Sequence, residues 1–239
     1  MIKFTIQHIK DFKKSKIVFP SITAYDYTSA QIIDESQIPL ILVGDSASMM
    51  VYGYDTTIPI SMSEMLLIVR SVTRGAKHSL VVADMPFLSY QPSIEQTIKN
   101  AGLFLKDGGA SAVKLEGGVH VENHIRSLVN SGIPVLGHVG LTPQSYHQLS
   151  GYKIQGKTPE GAQKIIDDAM AVQNAGAFGI VLECIPELLA KEVTKKLVIP
   201  TIGIGSGNMC DGQIQVFHDI LGYSAERAPK HAKQYSNMY

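Results

Sequence analysis

Eight short strand-like segments separated by helix-patterned stretches constrain this chain more than any other feature. They cover residues 20–25, 39–45, 80–84, 112–116, 134–138, 179–183, 201–205 and 214–219, each flanked by glycine, proline or polar turn residues. Their recurrence about every 25 to 45 residues is the spacing of repeated βα units. Between them apolar residues fall at helical intervals, as in Ala30, Ile33 and Ile38, then Met65, Leu66 and Val69, then Ile165, Ile166, Ala169 and Val172. Alternating strands and helices build a parallel sheet, and eight such units predict an α/β fold, a (βα)8 TIM barrel. A chain of 239 residues that is 45% hydrophobic can fill one such core, and no linker or repeat divides it, so residues 1–239 read as a single barrel domain.

Several function classes drop out on composition. Lysine plus arginine and aspartate plus glutamate each total 21, so neither nucleic acid nor a membrane surface is an expected partner. The N-terminus has no long apolar run followed by a small-residue cleavage site. No stretch reaches the roughly 18 uninterrupted apolar residues of a membrane span. The expected protein is soluble and cytoplasmic. Cys184 and Cys210 are too few and too irregularly spaced for a disulfide framework or a zinc site.

In a (βα)8 barrel, functional residues lie where strands end and βα loops begin. Lys114 and Glu116 stand two residues apart in one hydrophobic strand, so both charges point to the same face. Taking each out of water costs several kcal/mol, on the order of what only a metal, an ionic substrate or neighbouring charges can offset. Asp45, Asp84, His138 and Glu183 end four further strands. The period of two groups Val43 with Asp45, Val82 with Asp84, Leu136 with His138 and Val181 with Glu183, which aims five strands at one rim. Taken singly, an aspartate at a strand end is commonly a helix cap or turn former, and a lone histidine is commonly structural. Cys184, next to Glu183, is expected to face the helices as a small buried thiol.

Together, the carboxylates point to a hard cation such as magnesium, held by oxygen ligands in a shell that waters and substrate complete. A lysine beside it attracts an anion, and a carboxylate outside the shell can act as general base. That combination describes enolate chemistry on a small oxo acid. Gly203-Ile-Gly-Ser-Gly207 is a poor dinucleotide fingerprint, because Asn208 takes its sixth position and the strand before it falls late in the chain. It reads instead as a tight turn after the seventh strand.

Nine collinear stretches between about residues 21 and 222 carry a resemblance. They are Thr23-Ala-Tyr-Asp-Tyr27, Leu42-Val-Gly-Asp-Ser46, Gly53-Tyr-Asp-Thr-Thr57, Ala83-Asp-Met-Pro-Phe87, Val113-Lys-Leu-Glu-Gly-Gly118, Gly137-His-Val-Gly-Leu-Thr-Pro-Gln144, Gly151-Tyr-Lys-Ile-Gln-Gly156, Leu182-Glu-Cys184, and Gly203-Ile-Gly-Ser-Gly207 with Asp211-Gly-Gln213. The chain resembles the ketopantoate hydroxymethyltransferases. The resemblance implies a barrel of the phosphoenolpyruvate/pyruvate superfamily type. It implies transfer of a hydroxymethyl group from 5,10-methylenetetrahydrofolate to 3-methyl-2-oxobutanoate, giving 2-dehydropantoate on the way to pantothenate and coenzyme A. By similarity, Asp45, Asp84 and Glu116 match the Mg2+ site, directly or through water. Ser46, Asp84 and Lys114 match the oxo-acid contacts, with Asp45 and His138 in the same pocket, and Glu183 matches the proton acceptor. Homo-oligomers, typically decamers, are implied as well. Two departures are the stop at Tyr239, short for the family, and the stretch 226–233, which differs from the family pattern around its Pro-Lys pair.

The alternatives are a magnesium-dependent carbon–carbon lyase or phosphonomutase on the same barrel, or a non-catalytic descendant that binds an oxo acid or folate. The lyase usually carries a Lys-Cys-Gly-His loop, and this sequence has none.

Overall fold

A computed structural model of the chain describes residues 2–223 and 229–239. Eight parallel strands close into a barrel in sequence order: β1 Phe19–Thr23, β2 Leu40–Val43, β3 Leu80–Asp84, β4 Ala112–Glu116, β5 Val135–Gly140, β6 Gly179–Glu183, β7 Thr201–Ile204 and β8 Gly212–Gln215. Pairing of Ser21 with Ile214 joins β8 back to β1. Strand alternation separates two apolar layers. Leu40, Leu42, Leu80, Val82, Ala112, Leu136, Val181, Ile202 and Ile214 fill the barrel. Ile41, Val43, Val81, Ala83, Val113, Val135, Ile180 and Leu182 pack outward under the helices.

Ten α-helices are described: α1 Ile6–Ser15, α2 Tyr27–Glu35, α3 Ala47–Met50, α4 Met62–Gly75, α5 Ile94–Lys106, α6 Glu122–Asn130, α7 Tyr146–Leu149, α8 Pro159–Asn174, α9 Glu187–Lys196 and α10 Phe217–Leu221. Several of them start on the polar caps that helix termini need. Asp26 accepts the Ser29 N–H at 2.9 Å, Ser61 and Glu64 form a reciprocal box on α4, and Thr158 caps α8 ahead of Pro159. Helix α1 closes the bottom of the barrel. Its Ile9 is fully buried in the interior layer, Phe12 stacks on Phe19 with centroids 5.2 Å apart, and Lys13 Nζ meets Asp211 Oδ2 at 2.8 Å.

The first, second, fifth and seventh strands shift a residue or two at their ends from the expected ranges. The eighth departs more, since it is expected at 214–219 and runs Gly212–Gln215, while residues 217–221 form α10. Two forces set this register. Phe19 lies so close over Gly212 that a Cβ there would sit 2.8 Å from the ring, and the Phe217 N–H donates to Thr23 Oγ1 at 3.1 Å, which starts a helix there. Ala30 and Ile33 are buried on α2 as expected, but Ile38 lies beyond its end in the turn to β2. No described helix is long and apolar enough to cross a membrane. Of the divergent stretch 226–233, residues 226–228 lie outside the described residues.

Candidate active site

At the C-terminal mouth of the barrel lies a cavity of about 460 Å3, and every residue singled out from the sequence lines it: Asp45, Ser46, Asp84, Lys114, Glu116, His138 and Glu183. Strand register assembles the inner end. Asp84 on β3 stands opposite Lys114 on β4, and Glu116 on β4 stands opposite His138 on β5. Lys114 Nζ is the hub, 2.9 Å from Asp84 Oδ1, 3.6 Å from Glu116 Oε1 and 3.1 Å from His138 Nδ1. His138 Nε2 in turn faces Glu183 Oε2 at 3.2 Å. Gly140 lets β5 approach β6 beside Glu183. At φ +98° it has no Cβ, which would lie 2.3 Å from the Glu183 carbonyl oxygen.

Asp45 reaches the mouth by a route other than the expected one. Strand β2 ends at Val43, which packs outward, while Leu42 faces the cavity; the period of two therefore does not carry Val43 and Asp45 to one face. The chain turns at Gly44, which itself lines the cavity, and Asp45 enters from the turn, its N–H donating to Asp84 Oδ2 at 3.2 Å. Ser46 follows, its Oγ 2.8 Å from the Tyr25 hydroxyl.

Three carboxylates thus share one lysine in a place closed to water. Burial, then the charges of Asp84 and Glu116, push the Asp45 carboxyl well above its usual range. Burial also raises Asp84, although Lys114 opposes it. Glu116 goes the other way: Lys114 and His138 overcome the burial that would raise it. Burial alone would lower Lys114, yet Asp84, Glu116 and Asp45 hold it protonated. For His138, burial and Lys114 favour the neutral ring, but Glu116 and Glu183 outweigh them and raise it. Asp84 Oδ1 and Glu116 Oε1 lie at ion-pair distance from Lys114 yet have no aligned hydrogen-bond donor. Such buried oxygens are where a cation finds ligands.

The residue that ties this cluster together carries no local mark in the sequence. Gln144, in the short 3-10 turn Pro143–Ser145, donates its backbone N–H to Glu116 Oε2 at 3.0 Å and its side-chain amide to Asp45 Oδ2 at 2.9 Å and to the Met85 carbonyl at 2.8 Å. Its amide oxygen accepts from the Tyr90 hydroxyl at 2.9 Å. The only signal for it was its place in the stretch 137–144, since nothing local marks a glutamine in a turn. Cys184 also departs from expectation. At φ +47° it turns out of strand periodicity to line the cavity beside Gly205 and His231, and burial pushes its thiol up to about 11. Residues 203–207 make the expected tight turn, closed by the Ser206 hydroxyl on the Leu182 carbonyl at 2.8 Å.

Residues 3–239 match the family described as Ketopantoate hydroxymethyltransferase. The chain belongs to that family. It is 52% identical over 238 residues to the 3-methyl-2-oxobutanoate hydroxymethyltransferase of Carboxydothermus hydrogenoformans, covering 100% of this chain and 86% of that protein. It is 51% identical over 237 residues to the protein of the same name from Dehalococcoides mccartyi, covering 99% and 85%. Membership at this identity makes the chain an enzyme, a hydroxymethyltransferase. Among solved structures, phosphonopyruvate hydrolase in complex with oxalate and Mg++ superposes with a TM-score of 0.68 at 14% identity, covering 91% of this chain and 81% of that one. A 2,3-dimethylmalate lyase, a PEP mutase/isocitrate lyase superfamily member, gives a TM-score of 0.64 at 15% identity over 90% and 81%. At that identity the likeness shows the shared barrel and nothing of the reaction.

Proposed function

We propose that this ketopantoate hydroxymethyltransferase family member transfers the one-carbon unit of 5,10-methylenetetrahydrofolate to C3 of 3-methyl-2-oxobutanoate, giving 2-dehydropantoate and tetrahydrofolate on the route to pantothenate and coenzyme A. One observation carries the reading: Lys114, an anion anchor, lies among three buried carboxylates, and the His138–Glu183 pair stands beside it in the same cavity. Magnesium fits the donor set. Asp84 Oδ1 and Glu116 Oε1 have no aligned donor, and Asp45 is held toward neutrality by burial and then by its neighbours' charges. Among the described residues no three acids or histidines are grouped as a ready metal site, so waters and substrate oxygens would have to complete the shell. Asp45, Asp84 and Glu116 would hold it. When bound, Mg2+ supplies Lewis acidity that stabilises negative charge developing on the keto oxygen.

The chain's own groups do the rest. Lys114 holds the carboxylate of the oxo acid, and the Ser46 hydroxyl, backed by Tyr25, contacts it from the β2 side. Glu183 takes the C3 proton, and His138 Nε2 orients its carboxylate. Water adds to the donor's methylene carbon at the iminium stage and its bonds to the folate nitrogens break, releasing tetrahydrofolate and a formaldehyde equivalent; the enolate carbon then bonds to that carbon, and the oxygen that came from water takes up a proton as the new hydroxyl. Gln144 keeps Asp45 and Glu116 in place throughout. The same reading places the enzyme in the cytoplasm as a homo-oligomer, decameric by family resemblance. The test is an assay with Mg2+, both substrates and purified protein. Appearance of 2-dehydropantoate is expected, and its absence would leave only a binding role.

A further inference from the structure

The cavity has a second charged feature, remote in sequence from the lysine cluster and without a role in the steps above. Asp219 on α10 is 8% exposed and lines the β8 side of the mouth. The Phe217 N–H bond to Thr23 Oγ1 seats the first turn of α10 on the end of β1 and so fixes where Asp219 enters. Among the described residues, His231 is the charge that bears on its carboxylate, against burial that pushes the group up, and no hydrogen-bond donor is paired with it. A carboxylate this buried ordinarily has partners. The wall around it is apolar, with Ile204, Ile214 and Val216 on its own side and Met49 and Met50 on α3.

At about 460 Å3 the cavity is in the range that takes a drug-sized ligand, more than a five-carbon oxo acid occupies. Lys114 and the acids hold the oxo acid at the β2–β5 side. The remaining space lies over β7, β8 and α10. A flat, largely apolar ring with two adjacent N–H donors suits that space, because a carboxylate accepts two parallel N–H bonds well. The 2-amino-4-oxo ring of a reduced folate has that edge in its 2-amino group and N3–H.

We propose that Asp219 anchors the pterin ring of the one-carbon donor through these two N–H groups and selects for the 2-amino-4-oxo pattern. The inference rests on the function proposed above and names the residue that reads its second substrate. Because donor and oxo acid occupy opposite halves of the cavity, Asp219 sets the affinity for one and leaves the other alone.

The test measures KM for both substrates in the wild type and in Asp219→Asn, each with 5,10-methylenetetrahydrofolate and with its analogue lacking the 2-amino group. In the variant the donor KM should rise on the order of 10- to 100-fold, as expected when a charged hydrogen-bond partner is lost. The oxo-acid KM and kcat should change little. The analogue should suffer a similar penalty with the wild type and lose little more in the variant. A wild type indifferent to the missing amino group overturns the inference, even if the variant fails to fold. So do penalties that multiply independently, or a variant whose two KM values rise together. A wild type that neither binds nor turns over the folate overturns the proposed function itself, a result distinct from the other three.

Discussion

Replacing Glu183 by glutamine isolates one half of the proposed chemistry. Forming the enolate needs the oxo acid, the cation and a base, but not the folate, so the wild-type enzyme with Mg2+ alone should exchange the C3 proton of 3-methyl-2-oxobutanoate for deuterium in heavy water. The Glu183 side chain is 17% exposed and meets His138 Nε2 at 3.2 Å. A glutamine of the same shape can keep that contact while losing the ability to accept a proton. Lys114, which holds the substrate's carboxylate in this scheme, and Asp84 and Glu116, which hold the cation, form their own cluster and are left intact. The exchange rate should therefore fall by roughly 10² to 10⁴, the range for loss of a general base, or about 2.7 to 5.5 kcal/mol in barrier. Oxo-acid affinity should change by much less. Proton NMR of the C3 signal over time reads the rate directly. Wild-type exchange in Glu183→Gln would refute the assignment and make His138, whose ring already touches Lys114 and Glu183, the base to test next.

Three further outcomes follow from the geometry. Asp84→Asn should nearly abolish turnover while circular dichroism stays native, because Asp84 touches both Lys114 and the Asp45 backbone; full activity in the variant, or in wild type with excess chelator, would remove the metal assignment. Gln144→Ala takes the amide donor from an Asp45 oxygen and from the Met85 carbonyl in a buried place, while the Tyr90 hydroxyl keeps the Glu116 carbonyl, so urea unfolding should show a loss of about 2 to 6 kcal/mol, at roughly 1 to 3 for each orphaned group, and an unchanged midpoint would deny it a bracing role. Asp34 is pulled from 3.8 to about 2, against burial, by N–H groups of Ser79 and His78 and by the His78 ring. Its folded value is depressed, so it stabilises fully above the ordinary value of 3.8 and loses that contribution as pH falls toward about 2. Asp34→Asn should cost about 2 kcal/mol at neutral pH, and the gap to wild type should close in urea titrations run from pH 4 down to 2; a gap independent of pH would assign the cost to packing.

What the amino-acid order makes legible here depends on how local the determining interaction is. Lys114 and Glu116 stand out because two charges in a five-residue apolar strand violate their own surroundings, and β4 runs over the expected residues. Asp84, His138 and Glu183 reach the cavity where alternation puts them, since each continues its strand's inward alternation to the rim. Asp45 reaches the right place by a turn that alternation does not describe. Cys184 fails the other way: one residue past β6 the backbone enters the left-handed region, and the rule assigning it to the helices no longer applies. The eighth strand is misplaced because Ile214, Val216, Phe217 and Ile220 suit strand and helix alike, and only Phe19 and Thr23, nearly 200 residues earlier, decide between them. Gln144 and Asp219 lie furthest from sequence reasoning. Gln144 is an ordinary turn residue whose bonds reach Asp45 across 99 positions, and Asp219 becomes a cavity group only once α10 is seated on β1. In a closed barrel the groups that hold the chemistry announce themselves by breaking a strand's pattern. Those that brace the cluster or line the far wall of the cavity break no local pattern, and barrel closure alone brings them there.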